Sequence, residues 1–345
     1  MQGIFRIPLS RLATLVTLSH KGRGKWVTLL ILFFPAPATA ACLMLTLADV
    51  PSVVTFQGGS GGYAVFDPAE YIQTVNFRVQ GEATGATCEY FVTLSSGQSG
   101  NFSQRKLTQD VHTLNYNAYT NASKSNILKD SSGTASETIT GSFPLPTGIN
   151  LTQSADHNFV WTVDPLQAVP ASATPYSDPA LRLSLYSGLL TGIIAPTLED
   201  TKTITFQARA DSSVDLSLVE SGAPFDISDT VQVIDFNTLE SGEQRGFDVV
   251  VRSNNGYRVT MQSENNQRMI HERAPAIADT IDYTITLNGA EIDLTSGAPT
   301  DAALSTGTTT ATGVRLPIEF TIGNMTGAET GGIYSDVINV EVTAN

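Results

Sequence analysis

The stretch Phe159-Val160-Trp161-Thr162-Val163 decides the fold, because Ile318-Glu319-Phe320-Thr321-Ile322 repeats its apolar spacing 159 residues later. Three further pairs of segments recur in the same order at nearly the same spacing. They are residues 75–77 with 234–236, residues 90–97 with 249–256, and residues 176–178 with 334–336. Four matches in order indicate an internal repeat, and a repeat determines architecture before any other feature. The sequence therefore predicts two tandem copies of one domain.

Apolar and polar residues alternate with period two in both copies. Clear runs are Ile204 and Phe206; Val214, Leu216 and Leu218; and Ile338, Val340 and Val342. This period is typical of half-buried β-strands, and no long stretch keeps helical spacing. The predicted fold class is therefore all-β, with two tandem antiparallel β-sandwiches.

Residues 1–40 have the features of a signal peptide. They contain basic but no acidic residues, a short apolar run at 26–34, and the cleavage pattern Ala38-Thr39-Ala40. A membrane anchor is the alternative, but a span needs about 20 apolar residues and this run is shorter. No later stretch is long enough to span a membrane. We expect residues 41–190 to form the first sandwich, 191–200 a linker, and 201–345 the second sandwich.

The expected exported chain is strongly acidic. Without the five basic leader residues it has 14 Lys and Arg against 33 Asp and Glu, a net charge of −19. Such a surface repels phosphate backbones, so nucleic acid is not an expected partner. With 41% hydrophobic and 15% charged residues in the whole sequence, there is enough apolar material for two packed cores.

The two cysteines, Cys42 and Cys88, both lie in the expected exported part. An even number of cysteines in an oxidising compartment indicates a disulfide. Lipidation of Cys42 is the alternative, although Thr39 stands where a lipoprotein signal has leucine. Two cysteines and four scattered histidines give no metal-ligand cluster, so no metal or cofactor is expected.

The run Gly332-Ile333-Tyr334-Ser335-Asp336-Val337-Ile338-Asn339-Val340-Glu341-Val342 resembles the closing strand of spore coat protein U domains. That family includes the pilins of archaic chaperone-usher fimbriae. Residues 234–236 and 252–257 resemble the family's early strand and central hairpin. The resemblance extends over about residues 203–345. In the first copy it is thinner, because Pro179 is expected to interrupt the corresponding closing strand.

The resemblance implies an immunoglobulin-like sandwich that lacks one strand and is completed by donor-strand exchange. The open groove between the two sheets exposes apolar side chains and an unpaired strand edge until another strand fills it. The residues assigned to this assembly strand are Tyr334, Ile338, Val340 and Val342. From alternation alone, they could equally be ordinary core residues of a complete sandwich. The implied partners are a periplasmic chaperone, an outer-membrane usher and neighbouring pilin subunits.

Catalysis is not expected from this sequence. The run Gly58-Gly59-Ser60-Gly61-Gly62 fits the G-x-S-x-G pattern, but no strand and helix flank it as a nucleophile elbow requires. His112, His157 and His271 lie in unrelated contexts and form no recognisable triad. We therefore expect a protein that is not an enzyme.

Three functions fit the sequence. The first is an adhesive subunit exported through the periplasm to the tip of a cell-surface fimbria; the second is a purely structural coat or fibre subunit. The third is a secreted protein that binds a glycan or other ligand on its own. A Cys42–Cys88 disulfide would leave almost no free strand before it to donate, which favours the tip. Two apolar runs that break strand alternation, residues 189–194 and 166–173, are candidate binding loops. In the second run, Leu166, Val169 and Pro170 are the candidate adhesive residues, and a host or abiotic surface is the expected target. The alternative, favoured because apolar residues usually lie inside, is that both runs pack within the first core or against the second domain.

Overall fold

The computed structural model describes residues 41–58, 61–84, 86–145, 152–190 and 195–345. The predicted signal peptide lies outside the described residues, as do Gly59 and Ser60 of the glycine-rich run. Within these ranges the regular structure consists of β-strands and two short 3-10 helices, Gly97–Ser99 and Ala135–Glu137. The predicted all-β class is confirmed.

The first ten strands surround one hydrophobic core. They are β1 (Ala41–Ala48), β2 (Val53–Thr55), β3 (Ile72–Thr84), β4 (Cys88–Leu94), β5 (Arg105–Gln109), β6 (His112–Tyr119), β7 (Ile139–Phe143), β8 (Thr152–Val163), β9 (Tyr176–Ser187) and β10 (Thr197–Ala208). One layer has the order β1-β3-β8-β6, and the other contains β7, β4, β9 and β10. Strand β5 pairs with both β6 and β9 and so joins the layers. This first sandwich packs apolar side chains of both layers against Trp161.

Strand β10 belongs to the first sandwich, so the predicted boundary is wrong. It pairs antiparallel with β9 and parallel with β2, and its Ile204 and Phe206 are fully buried in the first core. Burying such side chains stabilises a fold by about 1.5–3 kcal/mol each. The described part of the linker expected at 191–200 therefore consists mostly of the first residues of β10. The chain passes to the second sandwich after Ala210, the last residue of the first core.

Strand β9 is continuous through Pro179, contrary to the expected interruption. Its pairing with β10 shifts register between Asp178 and Leu181, where two residues of β9 lie opposite one of β10. Proline lacks a backbone N–H and is tolerated in strands at such bulges. The bulge restores Leu181 to the buried face.

The remaining ten strands surround a second core. They are β11 (Val214–Val219), β12 (Gln244–Ser253), β13 (Tyr257–Ser263), β14 (Arg268–His271), β15 (Thr280–Leu287), β16 (Ala290–Ile292), β17 (Thr300–Ser305), β18 (Val314–Ile322), β19 (Tyr334–Ser335) and β20 (Ile338–Ala344). One sheet has the order β11-β12-β18-β15-β14-β19, and the other has the order β17-β13-β20. Both sheets contribute to one buried cluster. This is the second sandwich.

The two sandwiches repeat one strand arrangement, but two of the four sequence matches joined segments that are not equivalent in the structure. Strand β3 corresponds to β12, because β3 pairs with β8 and β12 pairs with its counterpart β18. In the same way β4 corresponds to β13, because β4 pairs with β9 and β13 pairs with its counterpart β20. The matches of 75–77 with 234–236 and of 90–97 with 249–256 are therefore wrong. The other two hold: β8 corresponds to β18, and residues 176–178 correspond to 334–336. Surface loops change length readily, so the spacing between equivalent residues varies along the chain.

A specific junction connects the two sandwiches. The Arg252 guanidinium lies over Phe66 of the first sandwich at 4.9 Å and over Phe225 of the second at 3.8 Å. It also pairs with Asp215 at 2.7 Å. Asn254, which is buried, accepts a hydrogen bond from the Ala171 N–H through its backbone carbonyl at 3.0 Å. Cation–π and hydrogen-bond contacts therefore hold the sandwiches together at this point.

Candidate functional site

One edge of β20 has no partner strand among the described residues. Strand β20 pairs only with β13, whereas its counterpart β9 pairs with β4 on one side and β10 on the other. An open edge exposes a row of backbone donors and acceptors that another strand can pair with. The second sandwich therefore has the form of the first with the β10 position left open.

The side chains beside this edge are half-buried, while their counterparts in the first sandwich are buried. The half-buried residues are Leu216, Ile234, Phe236, Val340 and Val342. Their counterparts, in the same order, are Leu47, Val54, Phe56, Leu183 and Leu185. We call the five half-buried residues the acceptor groove. The same positions differ in burial because one sandwich contains a strand where the other does not.

The opposite wall of the acceptor groove is an extended segment outside any strand. Its sequence, Val233-Ile234-Asp235-Phe236, repeats the pattern of Val53-Val54-Thr55-Phe56. In the first sandwich those residues include β2, which pairs parallel with β10, and the Phe56 N–H donates to the Gln207 carbonyl at 2.8 Å. The segment at 233–236 is thus the counterpart of β2 without its partner.

The four residues predicted for the assembly strand are divided between two sheets. Ile338, Val340 and Val342 lie on one face of β20, as predicted. Tyr334 instead lies on β19, which pairs with β14, and its ring stacks edge-on against His271 at 5.1 Å. The chain bends at Asp336 and Val337, so the expectation of one shared strand face does not extend to Tyr334.

Asp336 stabilises this bend through hydrogen bonds that Asp178 also makes in the first sandwich. Its carboxylate accepts hydrogen bonds from the Tyr283 hydroxyl at 2.6 Å and from the Asn265 N–H at 3.1 Å. In the first sandwich, Asp178 accepts from the Tyr116 hydroxyl at 2.7 Å and from the Gln98 N–H at 3.2 Å. Burial raises the pKa of Tyr283 and Tyr116 above the usual value, so both remain donors.

A second candidate surface lies at the end of the first sandwich away from the junction. The start of β1, the end of β3, the start of β4, the end of β9 and the start of β10 meet there, as the pairs Leu43 with Glu82 and Ser187 with Thr197 require. Large apolar side chains are exposed at this end. They are Leu43, Met44, Leu145, Leu189 and Leu198. We call these five residues the distal patch; single exposed apolar residues are common, but a group of them indicates a contact surface.

A bulge in β1 aims part of the distal patch outward. The pairing with β3 shifts between Leu43 and Thr46, and Met44 has a left-handed backbone with φ of 54°. Leu45 then turns inward and packs over Gly81, where any Cβ would lie 2.5 Å from the leucine side chain. Met44 is 76% exposed as a result. Bulges of this kind commonly redirect side chains at functional edges.

The predicted adhesive residues lie at the other end, next to the junction. Val169 is 5% exposed and packs in the first core, and Pro170 accepts a hydrogen bond from the Tyr176 hydroxyl at 2.8 Å. Leu166 is 42% exposed, so it alone of the three presents a free apolar surface. Of the other predicted loop, 189–194, Leu189 belongs to the distal patch, while residues 191–194 lie outside the described residues. Sequence reasoning missed the rest of the patch because strand pairing, not a local run of residues, brings its members together.

The predicted disulfide between Cys42 and Cys88 is confirmed. It joins the start of β1 to the start of β4, on opposite layers of the first sandwich at the distal end. Lipidation of Cys42 would require the same sulfur atom, so the disulfide is incompatible with that alternative.

The described residues contain no group of three or more side chains placed to hold a metal ion. His157 contacts Tyr90 at 2.9 Å and stacks on Phe77, and burial lowers the pKa of its imidazole. His271 is buried against Tyr334. Neither histidine is placed beside a serine or cysteine nucleophile in these contacts. No helix in the described part of the chain is both long and apolar enough to cross a membrane.

A sequence model of the Spore Coat Protein U domain family matches residues 53–179. These residues extend from β2 into β9, so the similarity to that family lies within the first sandwich. The match lies in the copy where the residues resemble the family less clearly. No match to a curated protein was found.

Two pilus tip subunits are among the solved structures that are similar to the chain. One belongs to the CsuC-CsuE complex of chaperone and tip adhesion subunit from archaic chaperone-usher Csu pili of Acinetobacter baumannii, with 11% identity, a TM-score of 0.40, and coverage of 88% of this chain and 99% of that one. The other is the CupB6 tip adhesin from Pseudomonas aeruginosa, with 9% identity, a TM-score of 0.35, and coverage of 88% and 94%.

Proposed function

We propose that this chain is an adhesive subunit of a cell-surface fimbria. Its second sandwich accepts a β-strand from a neighbouring subunit, and its first sandwich contacts a host or abiotic surface. The observation that carries this proposal is the contrast at one position of the repeat: β10 completes the first sandwich, while the acceptor groove of the second is half-exposed. The Spore Coat Protein U match supports the same class of protein.

The incoming strand would lie where the repeat puts β10. It would run antiparallel to β20 and parallel to the segment at 233–236, as β10 does with β9 and β2. Pairing with both edges satisfies their backbone groups, and the strand's apolar face buries the acceptor groove. Folding of the second sandwich is then completed by a partner chain.

Export and assembly follow from this requirement. An open groove is prone to aggregation before assembly. A periplasmic chaperone would therefore cover it during transit, and an outer-membrane usher would exchange the chaperone for the next subunit. The first sandwich already contains its own strand β10. It needs no partner strand, which suits a position at the tip.

The distal patch is the surface that we assign to adhesion. It lies at the end of the first sandwich opposite the junction, so attachment there leaves the acceptor groove free for the fibre. Its exposed Leu and Met side chains suit contact with an apolar surface, because burying each contributes about 1.5–3 kcal/mol.

The substitution Val340→Asp tests the acceptor groove. A carboxylate on the buried face of β20 would oppose the incoming strand, since an unpaired charge is costly to bury. We expect the variant to be exported but absent from fibres, as measured by immunoblotting of sheared fibres and of periplasm. Asn339→Asp places the same charge on the exposed face of the same strand and should be incorporated normally.

Normal incorporation of Val340→Asp would contradict the proposal. A purified chain that is monomeric, unfolds cooperatively at high temperature and is unchanged by any added strand would point instead to a secreted binding protein that is complete by itself.

A further inference from the structure

The inner face of β10 shows what kind of residue fills the open position of the repeat. Phe206 lies opposite Asp178 in the pairing with β9, and Ile204 lies opposite Leu181. The Phe206 ring packs 4.4 Å from Trp161 and 5.7 Å from Tyr116. Three aromatic rings, one of them supplied by β10, thus form the centre of the first core.

The second sandwich retains two of these three rings. Tyr283 and Phe320 are the counterparts of Tyr116 and Trp161, and their ring centroids are 6.1 Å apart, against 5.8 Å for the first pair. The hydroxyl of Tyr283 binds Asp336 as that of Tyr116 binds Asp178. The third ring, Phe206, has no counterpart in the part of the second sandwich that the structure describes, because it belongs to β10.

We infer that the strand entering the acceptor groove carries an aromatic residue opposite Asp336, which completes a three-ring cluster with Tyr283 and Phe320. Two residues earlier it carries an aliphatic side chain opposite Ile338, as β10 does with Ile204. This inference rests on the proposed function and adds to it the chemistry of the donated strand. Edge-to-face and offset ring pairs favour an aromatic side chain over an aliphatic one of similar area.

A peptide with the sequence of β10 tests the inference directly. The probe is a fluorescein-labelled peptide of residues 201–209, titrated with the chain from Ala41 onward and followed by fluorescence anisotropy. A second peptide carries Phe206→Leu. We expect the phenylalanine peptide to bind about 3- to 10-fold more tightly than the leucine peptide, the difference that one or two ring contacts provide.

Protein variants show whether the preference arises from the two rings. Phe320→Leu should reduce the preference to about twofold or less. Tyr257→Leu removes another buried ring of the same core, on β13, which makes no ring contact with Phe320 or Tyr283 in the described structure, and should leave the preference intact. Val340→Asp should abolish binding of both peptides, which assigns the site to the acceptor groove.

Each other outcome has a distinct meaning. Equal affinity for the two peptides would overturn the aromatic assignment and leave strand acceptance standing. Binding that survives Val340→Asp would also overturn it, because the peptide would then be bound elsewhere. Failure of both peptides to bind would count against the proposed function as well.

Discussion

At the scale of single residues, Met44 stands out because an unusual backbone holds an apolar side chain in solvent. Its left-handed φ is uncommon for a residue other than glycine and costs about 1–3 kcal/mol. The bulge that imposes this conformation also turns Leu45 into the core. Stability at this point therefore depends on Leu45, while Met44 remains free for contact with another surface.

Replacing Leu43 and Met44 by serine tests the distal patch. The double variant should fold and be exported normally, because both side chains are exposed, but attachment of cells to polystyrene should weaken by about tenfold or more. Val111→Ser is the control, since Val111 is an exposed apolar residue at the opposite end of the sandwich. A loss of attachment in Leu166→Ser, with none in the double variant, would move adhesion to the loop predicted from the sequence.

At the scale of elements, β10 decides where the first sandwich ends. A fragment of residues 41–212 contains this strand, whereas a fragment of residues 41–196 lacks it and leaves Leu181 and its neighbours uncovered. We expect the longer fragment to unfold in a single cooperative transition in urea and the shorter one to aggregate or to be digested rapidly by protease. Similar stability of the two fragments would restore the boundary predicted near residue 190.

The elements also show what a sequence pattern can and cannot supply. Alternation predicted Ile204 and Phe206 as a strand, but it gave no sign of which sandwich the strand joins. That depends on pairing with β9 and β2, which lie far away in sequence. Ile338, Val340 and Val342 were predicted on one face for the same local reason. Tyr334 was misplaced because the Asp336 bend depends on Tyr283 and Asn265, contacts that no local period reveals.

At the scale of the whole molecule, the repeat was recognisable because two features have the same structural role in both sandwiches. The inward residues of β8 and β18 must fill a core, and Asp178 and Asp336 must each bind a tyrosine. The two erroneous matches paired segments that are not equivalent, β3 with the extended segment at 233–236 and β4 with β12. Apolar alternation could not reveal this, since it is the same in every half-buried strand.

Buried tyrosines predict a loss of stability at alkaline pH. Burial raises the pKa of Tyr63 and of Tyr90 to about 12, above the value near 10 in the unfolded chain. The folded state therefore holds these protons more tightly. Their contribution is fully present below pH 10 and is lost as the pH rises toward 12.

Urea unfolding at several values between pH 9 and pH 12 measures this dependence. Tyr63→Phe should be less stable at pH 9, because the hydroxyl donates to the Asp164 carbonyl and accepts from the Gln167 N–H. Its stability should nevertheless fall less steeply with pH than that of the unaltered chain. An equal slope for the two proteins would rule out Tyr63 as a source of the effect.

The Cys42–Cys88 bond has a mechanical consequence for a molecule that is held at one end and pulled at the other. The bond closes a loop with a sequence separation of 46 residues, which includes β1, β2 and β3. At roughly 3.5 Å per extended residue, the loop withholds on the order of 160 Å of chain from any extension. In the proposed adhesive subunit, tension that unravels other strands would leave this loop closed.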